Sequence, residues 1–135
     1  TYWDIVKGLF TFRDPKFYLF FTTTPNGRSA ARNFLARLKE RTVDRDIPVK
    51  VRTIRAQLNA IRIWGYEPPA DLSVFKLPVL VINGDNDRMV PTPNSYDMAK
   101  RFPNATLHIY DKAAHGAVFQ HHADLVKRTL AFFAA

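Results

Sequence analysis

Residues 77–91 have the sequence Leu77-Pro-Val-Leu-Val-Ile-Asn-Gly-Asp-Asn-Asp-Arg-Met-Val-Pro91. Its first half is a continuous apolar run rich in β-branched residues, which is typical of a fully buried strand in a parallel sheet. Its second half is a polar loop that carries Asp85 and Asp87 after Gly84. Functional groups in open α/β sheets lie just beyond the carboxyl ends of strands, so this loop is a candidate site. Spacing alone equally allows two carboxylates that only form a turn and cap the next helix.

A second strand is predicted shortly after the first. Residues 93–102 have helical periodicity, and residues 105–110 have the pattern of a strand, so the sequence predicts a right-handed βαβ unit. His115 follows in the small-residue loop Ala113-Ala114-His115-Gly116. Adjacent parallel strands would bring the two loops together, and an Asp could then orient the imidazole as in a Ser-His-Asp triad. From the residues alone, however, a single loop histidine is more often structural than catalytic.

The regions on either side of this unit are predicted to be helical. A first helix starts at Asp14-Pro15 and ends by the turn residues Pro25-Asn26-Gly27. Residues 28–42 and a segment after residue 48 that stops at Gly65 are amphipathic, and residues 121–133 predict a closing amphipathic helix. The upstream helices would form a layer that covers another part of the molecule.

The strand and loop of residues 77–91 are similar to the α/β-hydrolase pattern of a strand, Gly-x-x-Asp and Val-Pro. In that family the Asp three residues after the Gly is the triad acid, and Asp87 corresponds to it. The family's histidine follows the next strand in a small-residue loop before the final helix, where this sequence has His115. The resemblance therefore implies a catalytic Asp87–His115 pair. Asp85 is the competing acid, but it follows Gly84 too closely for the family spacing.

The remaining histidines are not expected to be catalytic. His121 and His122 lie at the start of the predicted last helix, where surface or capping roles are expected, and His108 lies within the second strand.

The fold that the resemblance implies is a partial α/β-hydrolase of the α/β class, with parallel strands and crossover helices preceded by a helical cap. Residues 1–68 form the cap-like region and residues 69–135 the C-terminal part of the core. The cap match is the weaker one. Aromatic side chains of the cap either line an acyl pocket or, as is favoured, pack as helix core: Phe10, Phe12, Phe17, Phe20, Phe21 and Trp64.

The nucleophile elbow of the family, Gly-x-Ser-x-Gly, is absent from this sequence. Ser29, Ser73 and Ser95 lack glycines two positions away on both sides, and there is no cysteine. The family's oxyanion hole also comes from segments near the nucleophile and an early loop. The resemblance thus implies a C-terminal hydrolase portion with little or no esterase activity alone. We assign no nucleophile, and we expect neither a metal nor an organic cofactor.

The charge of +8 on 135 residues suits an anionic partner, which keeps a nucleic-acid or acidic-surface binding module as an alternative. Acidic residues interrupt the basic ones, so a solvated surface is favoured, with neither nucleic acid nor membrane as partner. A truncated sheet would expose an unpaired strand edge, which predicts self-association or pairing with a complementary chain. If an N-terminal half completes the fold, a small acyl compound is the expected substrate. A non-catalytic interaction half-domain is a further alternative. We expect a cytoplasmic location. The basic residues that the nucleic-acid or acidic-surface binding module would use are Arg32, Arg37, Arg41, Arg45, Arg52 and Arg55.

Overall fold

The computed structural model describes Trp3, Lys7, Gly8 and residues 10–134. The following elements succeed one another along the described chain: α1 (Lys16–Leu19), α2 (Pro25–Arg37), α3 (Val51–Trp64), a 3₁₀ turn (Leu72–Val74), β1 (Val79–Gly84), α4 (Thr92–Arg101), β2 (Ala105–Tyr110), α5 (Ala117–Gln120) and α6 (His122–Ala134).

The two strands form a parallel pair with α4 as the connection between them. Their register runs from Val79 opposite Ala105 to Gly84 opposite Tyr110, so both strands end at the same edge. The predicted strand, helix and strand are confirmed. Full burial of β1 is wrong, however, because only Val81 and Gly84 are buried. The sheet of the described residues has two strands, so each strand has a neighbouring strand along one edge only.

The N-terminal helices pack around a small aromatic core that contains Phe17, Phe21 and Ala31. Helix α2 begins at Pro25 and not after the predicted turn. The Thr24 hydroxyl accepts a hydrogen bond from the Gly27 amide at 3.1 Å, and a proline is favourable in the first turn of a helix. Residues 25–27 are therefore the first turn of α2.

Helices α3 and α6 each present several apolar side chains to solvent. Helix α3 ends before Gly65 as predicted, but it has no buried residue. Residues 121–133 were predicted to form a closing amphipathic helix with Leu125, Val126, Leu130 and Phe133 facing inward, but Val126, Leu130 and Phe133 are exposed on α6. The corresponding exposed apolar residues of α3 are Val51, Ile54, Leu58, Ile61 and Trp64.

The segment that joins α1 to α2 lies against the loops at the strand ends. The Gly116 amide donates to the Phe20 carbonyl at 2.6 Å, and the Thr22 hydroxyl donates to the Lys112 carbonyl at 2.9 Å. The helical region therefore covers the histidine loop, while the proposed boundary at residues 68/69 stays a prediction. None of the helices described is both long and apolar enough to traverse a bilayer.

Candidate active site

Asp87 lies in the loop after β1, and its side chain is only 3% exposed. Its Oδ1 accepts hydrogen bonds from the amides of Met89, at 2.8 Å, and Val90, at 2.9 Å. Its Oδ2 lies 3.0 Å from Nδ1 of His115. One carboxylate oxygen is thus fixed by the backbone, and the other is directed at the imidazole.

His115 follows β2 and is half-buried, with 32% of its side chain exposed. The ring of Phe20 contacts the imidazole edge-to-face, with the ring centroids 5.2 Å apart. Because an ionised carboxylate only accepts hydrogen bonds, Nδ1 carries the proton when it binds Asp87. Nε2 then has a free lone pair and can accept a proton from a nucleophile.

The acid loop is held in place by polar side chains that flank it. Nδ2 of Asn83 donates to the Val90 carbonyl and to the Ser95 hydroxyl, each at 3.1 Å. The Thr92 hydroxyl, which is buried, donates to the Gly84 carbonyl at 2.6 Å. These contacts tie the loop to β1 and to the first turns of α4. Sequence reasoning missed all of them, since a single Asn, Thr or Ser carries no distinctive pattern.

Asp85, the competing acid, does not contact His115 in the structure. Its Oδ1 accepts from the Ala113 amide at 3.0 Å and from Nδ2 of Asn86 at 2.8 Å. Burial raises the pKa of the Asp85 carboxyl, but hydrogen bonds from the Lys112 amide, Asn86 and the Ala113 amide together outweigh it and keep the pKa below its ordinary value. Asp85 therefore connects the two loops as an ionised carboxylate.

Acid unfolding should reveal this contribution. A carboxyl with a lowered folded-state pKa stabilises the fold above its unfolded pKa of about 3.9, and this stability is lost as the pH falls through the lower folded value. We expect the urea-derived free energy of unfolding to fall less steeply below about pH 4 in Asp85→Asn than in the wild type. Glu40→Gln, which removes an exposed acid of equal charge, serves as the control. Equal slopes in wild type and Asp85→Asn would contradict this assignment.

The other histidines lie away from the pair. His108 and Tyr110 contact each other on β2, and the Tyr110 ring stacks on His121 with centroids 4.5 Å apart. Burial lowers the pKa of His108 and raises that of Tyr110, whose hydroxyl donates to Asp124 at 3.0 Å. His108 and His121 thus join β2 to the start of α6, and His122 is exposed there. Nowhere among the described residues do three His, Asp or Glu side chains form a group suited to a metal ion.

None of the three serines lies in the site. Ser95 is buried against Asn83, Ser73 is exposed in the 3₁₀ turn, and Ser29 lies on α2. No serine makes a hydrogen bond with His115 in the described part of the chain. Of the aromatic residues, Phe17 and Phe21 are core, as favoured, and Phe20 contacts His115. Three others are exposed and belong neither to this core nor to the surroundings of His115: Phe10, Phe12 and Trp64.

Comparison with known proteins gives this geometry a context. The family model described as the alpha/beta hydrolase fold matches residues 6–122. The chain belongs to the α/β-hydrolase family. An alpha/beta hydrolase fold protein from Chitinophaga pinensis superposes with a TM-score of 0.84 at 35% identity over 98% of this chain and 50% of that one. The family assignment and the α/β class with parallel strands, made from residues 77–91 and His115, are confirmed.

Two curated relatives resemble shorter parts of the chain. A non-heme chloroperoxidase of Kitasatospora aureofaciens is 35% identical over 66 residues, which are 47% of this chain and 24% of the relative. A 2-hydroxy-6-oxononadienedioate/2-hydroxy-6-oxononatrienedioate hydrolase of Burkholderia vietnamiensis is 40% identical over 50 residues, 37% of this chain and 17% of the relative. The chain spans about half the length of the matched structure, and the matched segments are a quarter or less of the curated relatives.

Proposed function

We propose that this α/β-hydrolase chain supplies the catalytic acid, Asp87, and the general base, His115, for hydrolysis of an acyl substrate. The observation that carries the proposal is the 3.0 Å contact between Oδ2 of Asp87 and Nδ1 of His115 at the carboxyl ends of two adjacent parallel strands. The nucleophile is a serine outside these 135 residues. In the family's chain order it precedes the acid and the histidine.

The pair would act in successive proton transfers at Nε2 of His115. Nε2 of His115 takes the proton of the serine hydroxyl as the oxygen attacks the substrate carbonyl, and Asp87 stabilises the imidazolium that forms. The imidazolium then gives its proton to the leaving group as the carbon–heteroatom bond breaks. The same nitrogen then takes a proton from a water molecule that attacks the acyl-enzyme, and it returns this proton to the serine oxygen as the acyl–oxygen bond breaks. Asp87 stays ionised throughout.

We also propose that the nucleophile and the oxyanion hole come from a complementary hydrolase segment, and that this segment covers the exposed apolar side chains of α6. The Chitinophaga pinensis structure is twice as long as its match to this chain, so an equal length of fold is available for that role. The apolar residues that face solvent on α6 are those that such a segment would bury. Self-association of the chain alone would use the same surface.

The reaction subtype is proposed from chemistry and from one relative. An Asp–His pair with a serine hydrolyses carboxylic esters, and the Burkholderia vietnamiensis relative, by its name, is a hydrolase of a dicarboxylate. Small esters are therefore the substrates to test first, and unsaturated hydroxy-oxo-dicarboxylates of the kind named for that relative are the second class.

The test uses a hybrid protein, in which this chain is joined to the half of the Chitinophaga pinensis protein that it does not match. We expect p-nitrophenyl acetate and butyrate turnover by the folded hybrid, and none above background by the isolated chain. Turnover by the isolated chain that disappears in His115→Ala would show a nucleophile within these residues. A folded but inactive hybrid would contradict the role of the pair.

A further inference from the structure

The two loops that carry Asp87 and His115 are joined by a ladder of hydrogen bonds beyond the end of the sheet. The amide of Asp85 donates to the Tyr110 carbonyl at 3.0 Å, and the amide of Asn86 donates to the Ala113 carbonyl at 2.9 Å. The Asp85 carboxylate adds a side-chain link, because its Oδ1 accepts from the Ala113 amide at 3.0 Å. Of these three links, the carboxylate alone can be removed by substitution without altering the backbone.

The loop that the carboxylate holds contains a residue in an unfavourable conformation. Lys112 has a φ of 52°, which lies in the left-handed region that residues with a Cβ rarely adopt. Such a turn exposes successive backbone amides as a concave anion site. The amide of Ala113, the residue that follows Lys112, donates to Oδ1 of the Asp85 carboxylate at 3.0 Å and helps to lower its pKa. The strained turn and the anion that binds it therefore stabilise each other.

The turn at Lys112 lies in the same loop as the histidine. His115 is two residues beyond Ala113, and its Nδ1 has a single acceptor, Oδ2 of Asp87, at 3.0 Å among the described residues. A loop shift of about 1 Å would lengthen that contact beyond hydrogen-bond range. On the other side of the loop, the Thr22 hydroxyl donates to the Lys112 carbonyl, while the Ala113 amide donates to Asp85.

We propose that Asp85 is a positioning residue that holds the left-handed turn at Lys112 and so keeps Nδ1 of His115 on Asp87. The proposal rests on the proposed function of the Asp87–His115 pair. Asp85 does not touch the imidazole, so it acts only through the loop. Removing its carboxylate should release the histidine while the sheet and helices stay folded.

The experiment measures the tautomer of His115 in the full chain labelled with ¹⁵N-histidine, from its ring ¹⁵N shifts at a pH where the imidazole is neutral. In wild type the hydrogen bond to Asp87 favours the Nδ1–H form. We expect the ratio of Nδ1–H to Nε2–H to fall by about tenfold in Asp85→Ala, the equivalent of one hydrogen bond to a charged group. Asp85→Asn keeps one acceptor oxygen and should give an intermediate ratio.

Two controls separate positioning from general loosening. Glu40→Gln should keep the wild-type ratio. Lys112→Gly, combined with Asp85→Ala, should restore part of it, because glycine adopts positive φ without strain; a general loss of structure would not be restored.

The tautomer ratios separate a failure of the Asp85 proposal from a failure of the proposed function. A wild-type ratio in folded Asp85→Ala overturns the role of Asp85, and if that variant does not fold, an unchanged ratio in Asp85→Asn overturns it. If the wild-type chain itself shows no excess of the Nδ1–H form, the Asp87–His115 pair and the proposed function fail instead.

Discussion

Asp87→Asn should lower kcat of the hybrid for p-nitrophenyl butyrate by about 10⁴-fold while leaving its fold intact. Oδ2 of Asp87 accepts from Nδ1 of His115, whereas an asparagine that presents its amide nitrogen there would favour the opposite tautomer. Nε2 would then carry a proton and could not act as a base. The loss should appear in kcat more than in KM, since the interaction is made by the reacting histidine.

The matched control for this prediction is Asp97→Asn, an exposed acid on α4 that pairs with Arg101 of the same helix. It removes the same charge and should leave kcat unchanged. His115→Ala should be as inactive as Asp87→Asn or more so. A fall of less than tenfold in Asp87→Asn, with folding confirmed by circular dichroism, would mean that Asp87 does not orient the base.

Gly84→Val should destabilise the chain by about 3 kcal/mol, a large part of the stability of a small domain. A Cβ at Gly84 would overlap the Ala113 carbonyl oxygen and lie 2.6 Å from that of Ala114. Both obstacles are backbone atoms, so neither can turn aside as a flexible side chain does. Relief would require the acid loop and the histidine loop to separate, and urea unfolding followed by circular dichroism measures the cost.

Gly65→Ala is the control for that substitution. Gly65 ends α3, and a Cβ there would lie 3.3 Å from the Ile61 carbonyl oxygen, so a small adjustment accommodates it. Its free energy of unfolding should stay within about 1 kcal/mol of the wild type. Similar losses in the two variants would contradict the close approach of the loops at Gly84.

The strand-end loops could be predicted because their signals are local. A β-branched run, a Gly-x-x-Asp loop, a second strand and a histidine in a small-residue loop lie within residues 77–116, and parallel pairing requires both loops to meet. The structure places Asp87 and His115 in contact, although their catalytic roles stay predictions. The Asp85 link was not foreseen, because it depends on the conformation of Lys112, which the sequence pattern does not reveal.

The exposure of the apolar helix faces could not be predicted from periodicity. Spacing identifies which residues of α3 and α6 share a face, as with Leu58 and Leu130, but it does not show whether anything covers that face. In this chain both residues are exposed. The start of α2 at Pro25 was missed for a similar reason, since Pro-Asn-Gly fits a turn as well as a first helical turn, and the Thr24 cap decides between them.

A fluorophosphonate reacts covalently with a serine that is activated by a neighbouring base. Treating the hybrid with it and locating the label by peptide mass spectrometry tests whether Asp87 and His115 activate a serine in the other half. We predict that the label lies in the half contributed by the Chitinophaga pinensis protein and that His115→Ala abolishes labelling. A label on Ser29, Ser73 or Ser95, or labelling that does not depend on His115, would show that this chain does not supply the acid and base to a serine located elsewhere.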